Sequence, residues 1–321
     1  MLFLVVMKFL VALLLGDALA SVSDLTFDAQ IGYYGMPCVM GRLEGEDSDT
    51  RCFHLSLSSR DIILRGARRS DYTRDVLLTQ SNQGDGSGIF RMDRSQATIP
   101  HEWRDYTDYL GVGFRSDFGT AAGSMMLLPR NPDEFGTDFQ MIVNPRIPSS
   151  YCLDGHLALA DVIADTPNLV EIEVSVIELG DDPALSVFGG TVSATNNQTY
   201  MYLFETLEDT RIPSFAFDII TRTLSVHGVR RITHGHYGPG CELVIPNMPT
   251  IQFSVLSEGQ HVANLLMSGR DYMSVNERTG NCKLHILPAA DNDFRIGMSV
   301  LERVGLFFDY RSGRLGFCEP L

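Results

Sequence analysis

The chain has 321 residues, 44% of them hydrophobic and 20% charged, with a formal net charge of −15. That length and apolar share suit a globular protein with two lobes of ordinary domain size. The acidic balance leaves no basic stripe for phosphates and argues against a nucleic-acid partner.

Taken in order, Met1 to Leu15 is apolar apart from Lys8, and Ala18-Leu19-Ala20 is an A-x-A cleavage pattern. The run is short for a membrane span and reads as a secretory signal peptide over residues 1–20. No second apolar run of membrane length follows, so no stable span is expected in the mature chain. Beyond it lie six cysteines: Cys38, Cys52, Cys152, Cys241, Cys282 and Cys318. An even count in an oxidising compartment points to three disulfides, and the lack of a C-x-x-C pair argues against zinc. Asn197-Gln198-Thr199 is a glycosylation sequon.

Ser21 to Ala29 reads as a short polar stretch. Strands are expected over Ile31 to Met40 and Cys52 to Leu57, around the charged tip Glu44 to Arg51, with Cys38 and Cys52 on the two arms of the hairpin. Ser58-Ser59-Arg60-Asp61 separates the second arm from apolar Ile62-Ile63-Leu64. Val76 to Thr79 and Gly88 to Asp93 flank a Gly-rich tip. GDGSG there is a hairpin tip and not a phosphate loop, because no Lys-Ser/Thr follows. Phe139 to Val143 and His156 to Val162 read as strands, and Pro167-Asn168 as a junction. Val170 to Leu179 alternates apolar and polar residues with period two. Tyr200 to Phe204 is an apolar strand, Glu205-Thr206-Leu207-Glu208 follows, and Pro213-Ser214 opens a helix with Phe215, Ile219 and Ile220 on one face. Ile296-Gly297 bends into a short helix over Met298 to Arg303. Leu306 to Tyr310 and Arg314 to Phe317 close the chain as a hairpin around Arg311-Ser312-Gly313.

The closing block, FRIGMSVLERVGLFFDYRSGRLGF from Phe294 to Phe317, resembles the C-terminal signature of the pepsin-like aspartic protease family (peptidase A1). Tyr33-Tyr34-Gly35, Phe53 to Leu57, Tyr109-Leu110-Gly111-Val112-Gly113-Phe114, Cys241 to Leu256 and Asp271-Tyr272-Met273 resemble further family blocks. The resemblance implies an all-β, bilobal fold with a central cleft. The first lobe spans 21–166 and the second 167–321. It also implies a Cys241–Cys282 bridge in the second lobe and a lobe-spanning Cys152–Cys318 bridge.

Where the family carries its two catalytic Asp-Thr-Gly loops, this chain has Ser58-Ser59-Arg60 and Glu205-Thr206-Leu207. Acid proteolysis needs two carboxyls that share one proton, one acting as base and one as acid. Ser58 does not ionise near neutrality, and Glu205 reaches one methylene too far. Arg60 and Leu207 bring Cβ atoms where the family has glycine. Asp61 is a rival acid, but using it requires a register slip that turns the apolar side chains to the wrong face. The flap resembles the family's without its tyrosine: Gln80 or Ser81 stands there, near Gly84 and Gly86. The expectation is a secreted, monomeric pseudo-protease without cofactor or metal. Its cleft, lined by the flap and by Thr206, Leu207 and Glu208, holds a peptide or protein ligand without cutting it. The alternatives are a weakly active aspartic endopeptidase using Glu205 with Asp61, a Glu205–Arg60 buried pair with no catalytic meaning, and a storage or coat role. A Ser-His-Asp hydrolase is not expected, since no G-x-S-x-G occurs.

Overall fold

The computed structural model describes residues 24–32, 37–45, 50–57, 62–64, 74–79, 89–92, 108–133, 135–163, 169–178, 191–203, 209–233, 235–289 and 294–321, with the backbone alone at 178, 191–203 and 294. They are mostly β-sheet. The first strand, β1 (Leu25–Ile31), lies largely in the stretch read from sequence as polar. Phe27 and Ala29 alternate with Asp28 and Gln30, and both are buried. That period-two pattern decides the strand. β2 (Pro37–Leu43) opens on a proline, whose missing N–H is tolerated at a strand's first residue. The single strand expected over Ile31 to Met40 is thus split between β1 and β2. β3 (Arg51–Ser56), β4 (Ile62–Ile63), the hairpin β5 (Val76–Thr79) and β6 (Ile89–Met92), and β7 (Asp108–Gly111) follow. Helix α1 (Asp117–Ala122) is capped by Ser116, whose Oγ accepts from the Gly119 N–H at 2.9 Å. β8 (Ser124–Pro129), β9 (Phe139–Val143) and β10 (Ala158–Asp161) complete this run.

The second run begins with β11 (Leu169–Glu178), β12 (Thr191–Leu203) and β13 (Thr210–Ile212). Helix α2 (Ser214–Val226) buries Ala216, Ile219, Ile220 and Leu224, the spacing of one helical face. β14 (Arg231–Thr233), β15 (His236–Tyr237), β16 (Thr250–Ser257) and β17 (Gln260–Met267) lead to the short α3 (Gly269–Tyr272). Ser268 and Asp271 close that turn as a capping box. β18 (Met273–Asn276), β19 (Asn281–Leu284), β20 (Ile286–Pro288), β21 (Phe294–Ile296), α4 (Met298–Leu301), β22 (Gly305–Asp309) and β23 (Arg314–Cys318) end the chain.

The largest sheet has the order β10-β23-β22-β8-β9-β1-β2-β3-β7-β4, with β5 beside β2 and β6 beside β5. The closing hairpin therefore sits among strands from the first half: Leu306 faces Leu127, and Phe317 faces Ala158. Leu306, Phe308, Leu315 and Phe317 are buried there. A second sheet runs β17-β16-β11-β12-β21-β13-β20, and a third β14-β15-β19-β18. Disulfides join Cys38 to Cys52, Cys152 to Cys318 and Cys241 to Cys282, with Cα–Cα separations of 5.5, 5.6 and 6.0 Å. Three such bonds are compatible with an oxidising compartment. Among the described residues, no helix is long and apolar enough to cross a membrane.

One arrangement occurs twice. β7 is flanked by β3, parallel to it, and by β4, antiparallel to it. β21 is flanked by β12, parallel, and by β13, antiparallel. Each central strand runs into a glycine, Gly111 in one case and Gly297 in the other. In each copy the two flanking strands are joined directly in sequence, by residues 57–61 and by residues 204–209. The same three-strand arrangement thus recurs in the two halves of the chain.

Candidate functional site

The two connections are where the sequence places its site. Ser58, Asp61, Glu205, Thr206, Leu207 and Glu208 lie outside the described residues, as do Gln80, Ser81, Gly84 and Gly86 of the expected flap, the 1–20 segment and Tyr33-Tyr34-Gly35. Asn197 falls within β12, where only the backbone is described. The structure does place the anchors at both ends of each connection. Leu57 and Ile62, the neighbours of Ser58 and Asp61, are each 1% exposed. Leu55 stands beside Leu110 and Leu203 beside Ile296, in equivalent places next to the two glycines. The chain distance from Leu55 to Ile62 equals that from Leu203 to Thr210. In this register the counterpart of Ser58 is Thr206, and the counterpart of Asp61 is Asp209.

Thr210 begins the strand after the second connection and is fully buried. Its hydroxyl accepts from the Gly297 N–H at 3.1 Å and meets Ser299 Oγ at 2.6 Å, and Ser299 in turn donates to the His285 carbonyl at 3.0 Å. Each hydroxyl has one proton, so the only complete assignment runs one way: Gly297 N–H to Thr210, Thr210 to Ser299, Ser299 to His285. This buried chain ties the exit of the 204–209 connection to the bend after β21. Thr210→Val keeps the shape and removes the link. It leaves a buried N–H without its acceptor and is expected to cost about 1–3 kcal/mol in chemical denaturation.

Asp209 stands just before it. Its Oδ1 lies 3.6 Å from Lys283 Nζ and 3.7 Å from His285 Nδ1. Burial alone raises the carboxyl's pKa, but the His285 contact and the Lys283 charge outweigh it and hold the group below the ordinary carboxylate range. On its other side His285 presents Nε2 to Ser274 Oγ at 2.7 Å. The imidazole stacks on Phe135 with 4.4 Å between ring centroids. Arg303 lies over the same phenyl ring at 4.8 Å, and its Nε is 3.5 Å from Asp271 Oδ1.

Phe135 belongs to the first half of the chain, and His285 and Arg303 to the second, so this stack fastens the halves together. Beside it the Gly136 N–H donates to Glu302 Oε1 at 2.8 Å. Glu302 is 5% exposed, and its burial raises the carboxyl pKa more than the Gly136 bond and Arg303 lower it. The folded carboxyl thus keeps its proton to higher pH than the unfolded one. Stability from this group is full below the unfolded pKa and falls as pH rises through the folded value. Glu302→Gln keeps an acceptor for Gly136 and removes the charge. The variant is expected to be more stable than the parent at pH 7, with the gap closing toward pH 4, as measured by thermal denaturation across that range.

Among the described residues, Cys38, Cys52 and His54 are the one group close enough to suggest metal ligation. Both sulfurs are spent in a disulfide, so the group is no ligand set. The sequence alone does not single out Asp209, Ser274 or His285. These residues stand far apart in sequence and carry no local motif; the fold alone brings them together. The chain matches no protein-family model and no curated protein.

Proposed function

We propose that this chain is a secreted, pepsin-like aspartic protease homologue that has lost its catalytic pair and holds a peptide or protein in a cleft between two lobes. The observation that carries the reading is the repeated arrangement of β3, β7 and β4 and of β12, β21 and β13. A duplicated strand–loop–strand around a central strand, one in each half of the chain, is what a bilobal acid protease needs to present one loop from each half. The closing hairpin, seated in the sheet of the first half, supports the same reading. In that frame the first loop carries Ser58 and the second Glu205, with Thr206 as the counterpart of Ser58. Neither Ser58 nor Thr206 supplies a carboxyl, and Glu205 stands one residue off the matching place. Asp209, the acid that follows, is engaged by Lys283 and His285.

A hydroxyl in place of a carboxyl removes general acid–base help worth ~10²–10⁴ per group. Extended peptide can still be held by main-chain hydrogen bonds without being cut. The test is equilibrium binding of an immobilised peptide library at pH 4 and pH 7, followed by mass spectrometry of the recovered peptides. The reading expects intact peptides to be retained and retention to be lost in a variant with a bulky residue at Gly86. Absence of any peptide retention supports the storage or coat role instead.

A further inference from the structure

We propose that Ser274, His285 and Asp209 form a serine-nucleophile site that cleaves activated carboxylic esters near neutral pH. Ser274 Oγ lies 2.7 Å from His285 Nε2, and Asp209 Oδ1 lies 3.7 Å from His285 Nδ1. A nucleophile within hydrogen-bond reach of a base, with a carboxylate at ion-pair distance from the base's far nitrogen, is the arrangement from which this chemistry is built. With the ring proton on Nδ1, the side that faces the Asp209 carboxylate, Nε2 is the acceptor for the Ser274 hydroxyl. The carboxylate is held ionised, as that role requires.

The base is fixed on every side. Phe135 stacks on the ring, the His285 backbone N–H donates to the Tyr272 carbonyl at 2.8 Å, and the His285 backbone carbonyl accepts from the Thr210 N–H at 3.2 Å and from Ser299 Oγ at 3.0 Å. Such clamping holds the ring in place before substrate arrives. The site is open to solvent: the His285 and Asp209 side chains are 19% and 26% exposed, and Ser274 is partly exposed on β18, the last strand of its sheet. Lys283 faces Ser274 across the β18–β19 pair. Cross-strand partners share a face, and the Lys283 ammonium on that face lies 3.6 Å from Asp209 Oδ1, where it helps hold the carboxylate ionised.

In the reaction, His285 Nε2 takes the Ser274 hydroxyl proton as Oγ bonds to the ester carbonyl carbon. The C–O bond to the alcohol breaks, and His285 returns the proton to the departing alkoxide. Water then adds to the acyl-serine by the same relay, releasing the acid and restoring Ser274. Nothing is oxidised or reduced, and water is the only co-reactant.

The test treats the full-length protein with a biotinylated fluorophosphonate at pH 7.5, maps the modified peptide, and follows p-nitrophenyl acetate hydrolysis in parallel. Labelling at Ser274 is expected, and Ser274→Ala abolishes it together with the ester turnover. Asp209→Asn slows both by on the order of 10²–10⁴-fold. Asp209→Glu, which returns a carboxylate, restores part of the rate, a result that mere loss of packing does not give. Folded parent protein that leaves Ser274 unlabelled, or ester turnover unchanged in Ser274→Ala, overturns the proposal.

Discussion

The double variant Cys152→Ala/Cys318→Ala is expected to lose about 4–5 kcal/mol of stability, the largest effect of removing any one of the three bridges. The bond spans 166 residues of sequence. Breaking it returns to the unfolded chain the freedom to separate two distant segments, and that freedom grows with loop length. The Cys241–Cys282 bridge lies inside the span and shortens it somewhat, without changing the scale. Native contacts add to the loss. The Leu153 N–H donates to the Glu319 carbonyl at 2.8 Å, and Met126, Leu128, Ile142 and Phe307 pack around the two sulfurs. By the same argument Cys38→Ala/Cys52→Ala, which opens a separation of 14 residues, is expected to cost about 3 kcal/mol. Urea denaturation of the two double variants gives the order directly. A Cys38/Cys52 variant less stable than the Cys152/Cys318 variant contradicts the view that the last strand is the clasp between the two ends of the chain.

Phe308→Ala is expected to cost about 3–5 kcal/mol, the range for truncating a buried aromatic. Phe308 lies in β22, is fully buried, and faces Met125 on β8 and Leu315 on β23. Its ring sits 5.5 Å from Phe114 and 5.9 Å from Tyr310, centroid to centroid. Tyr310 in turn donates to the Val112 carbonyl at 2.6 Å, just past the Gly111 end of β7. A Cβ on Gly119 would stand 2.6 Å from the Tyr310 ring, so α1 approaches the hairpin only because glycine is there. A cavity at Phe308 therefore loosens the hairpin, α1 and the end of β7 together. A loss below about 1 kcal/mol on thermal or chemical denaturation contradicts the packing described.

The parts of this fold that could be read from sequence were those with a strong local pattern. Leu306 to Phe317 alternates about a turn and appears as β22 and β23; Ile219 and Ile220 mark the buried face of α2; Val76 to Thr79 and the Gly-rich tip mark a hairpin. β1 is hard to see in sequence because Asp28 and Gln30 interrupt it and polar residues precede it, although Phe27 and Ala29 carry the period. α1 was missed because six residues hold too few turns to show a period, and only the Ser116 cap marks its start. The site was legible only where the chain is continuous. Ser58 and Glu205 could be picked out because each follows an apolar strand, but the strand register pairs Ser58 with Thr206. The Thr210–Ser299–His285 chain and the Asp209–His285–Ser274 array join residues 11 to 89 positions apart, and no local spacing encodes them.

The central claim is tested most directly by incubating the purified mature protein with denatured substrate protein at pH 3 to 5 and resolving the products over hours. The account predicts no cleavage above buffer, and none on adding a transition-state-mimicking peptide. Acid-dependent cleavage that this peptide blocks, and that disappears in Glu205→Ala or Asp61→Ala, contradicts it and restores a working pair of acids to the seam.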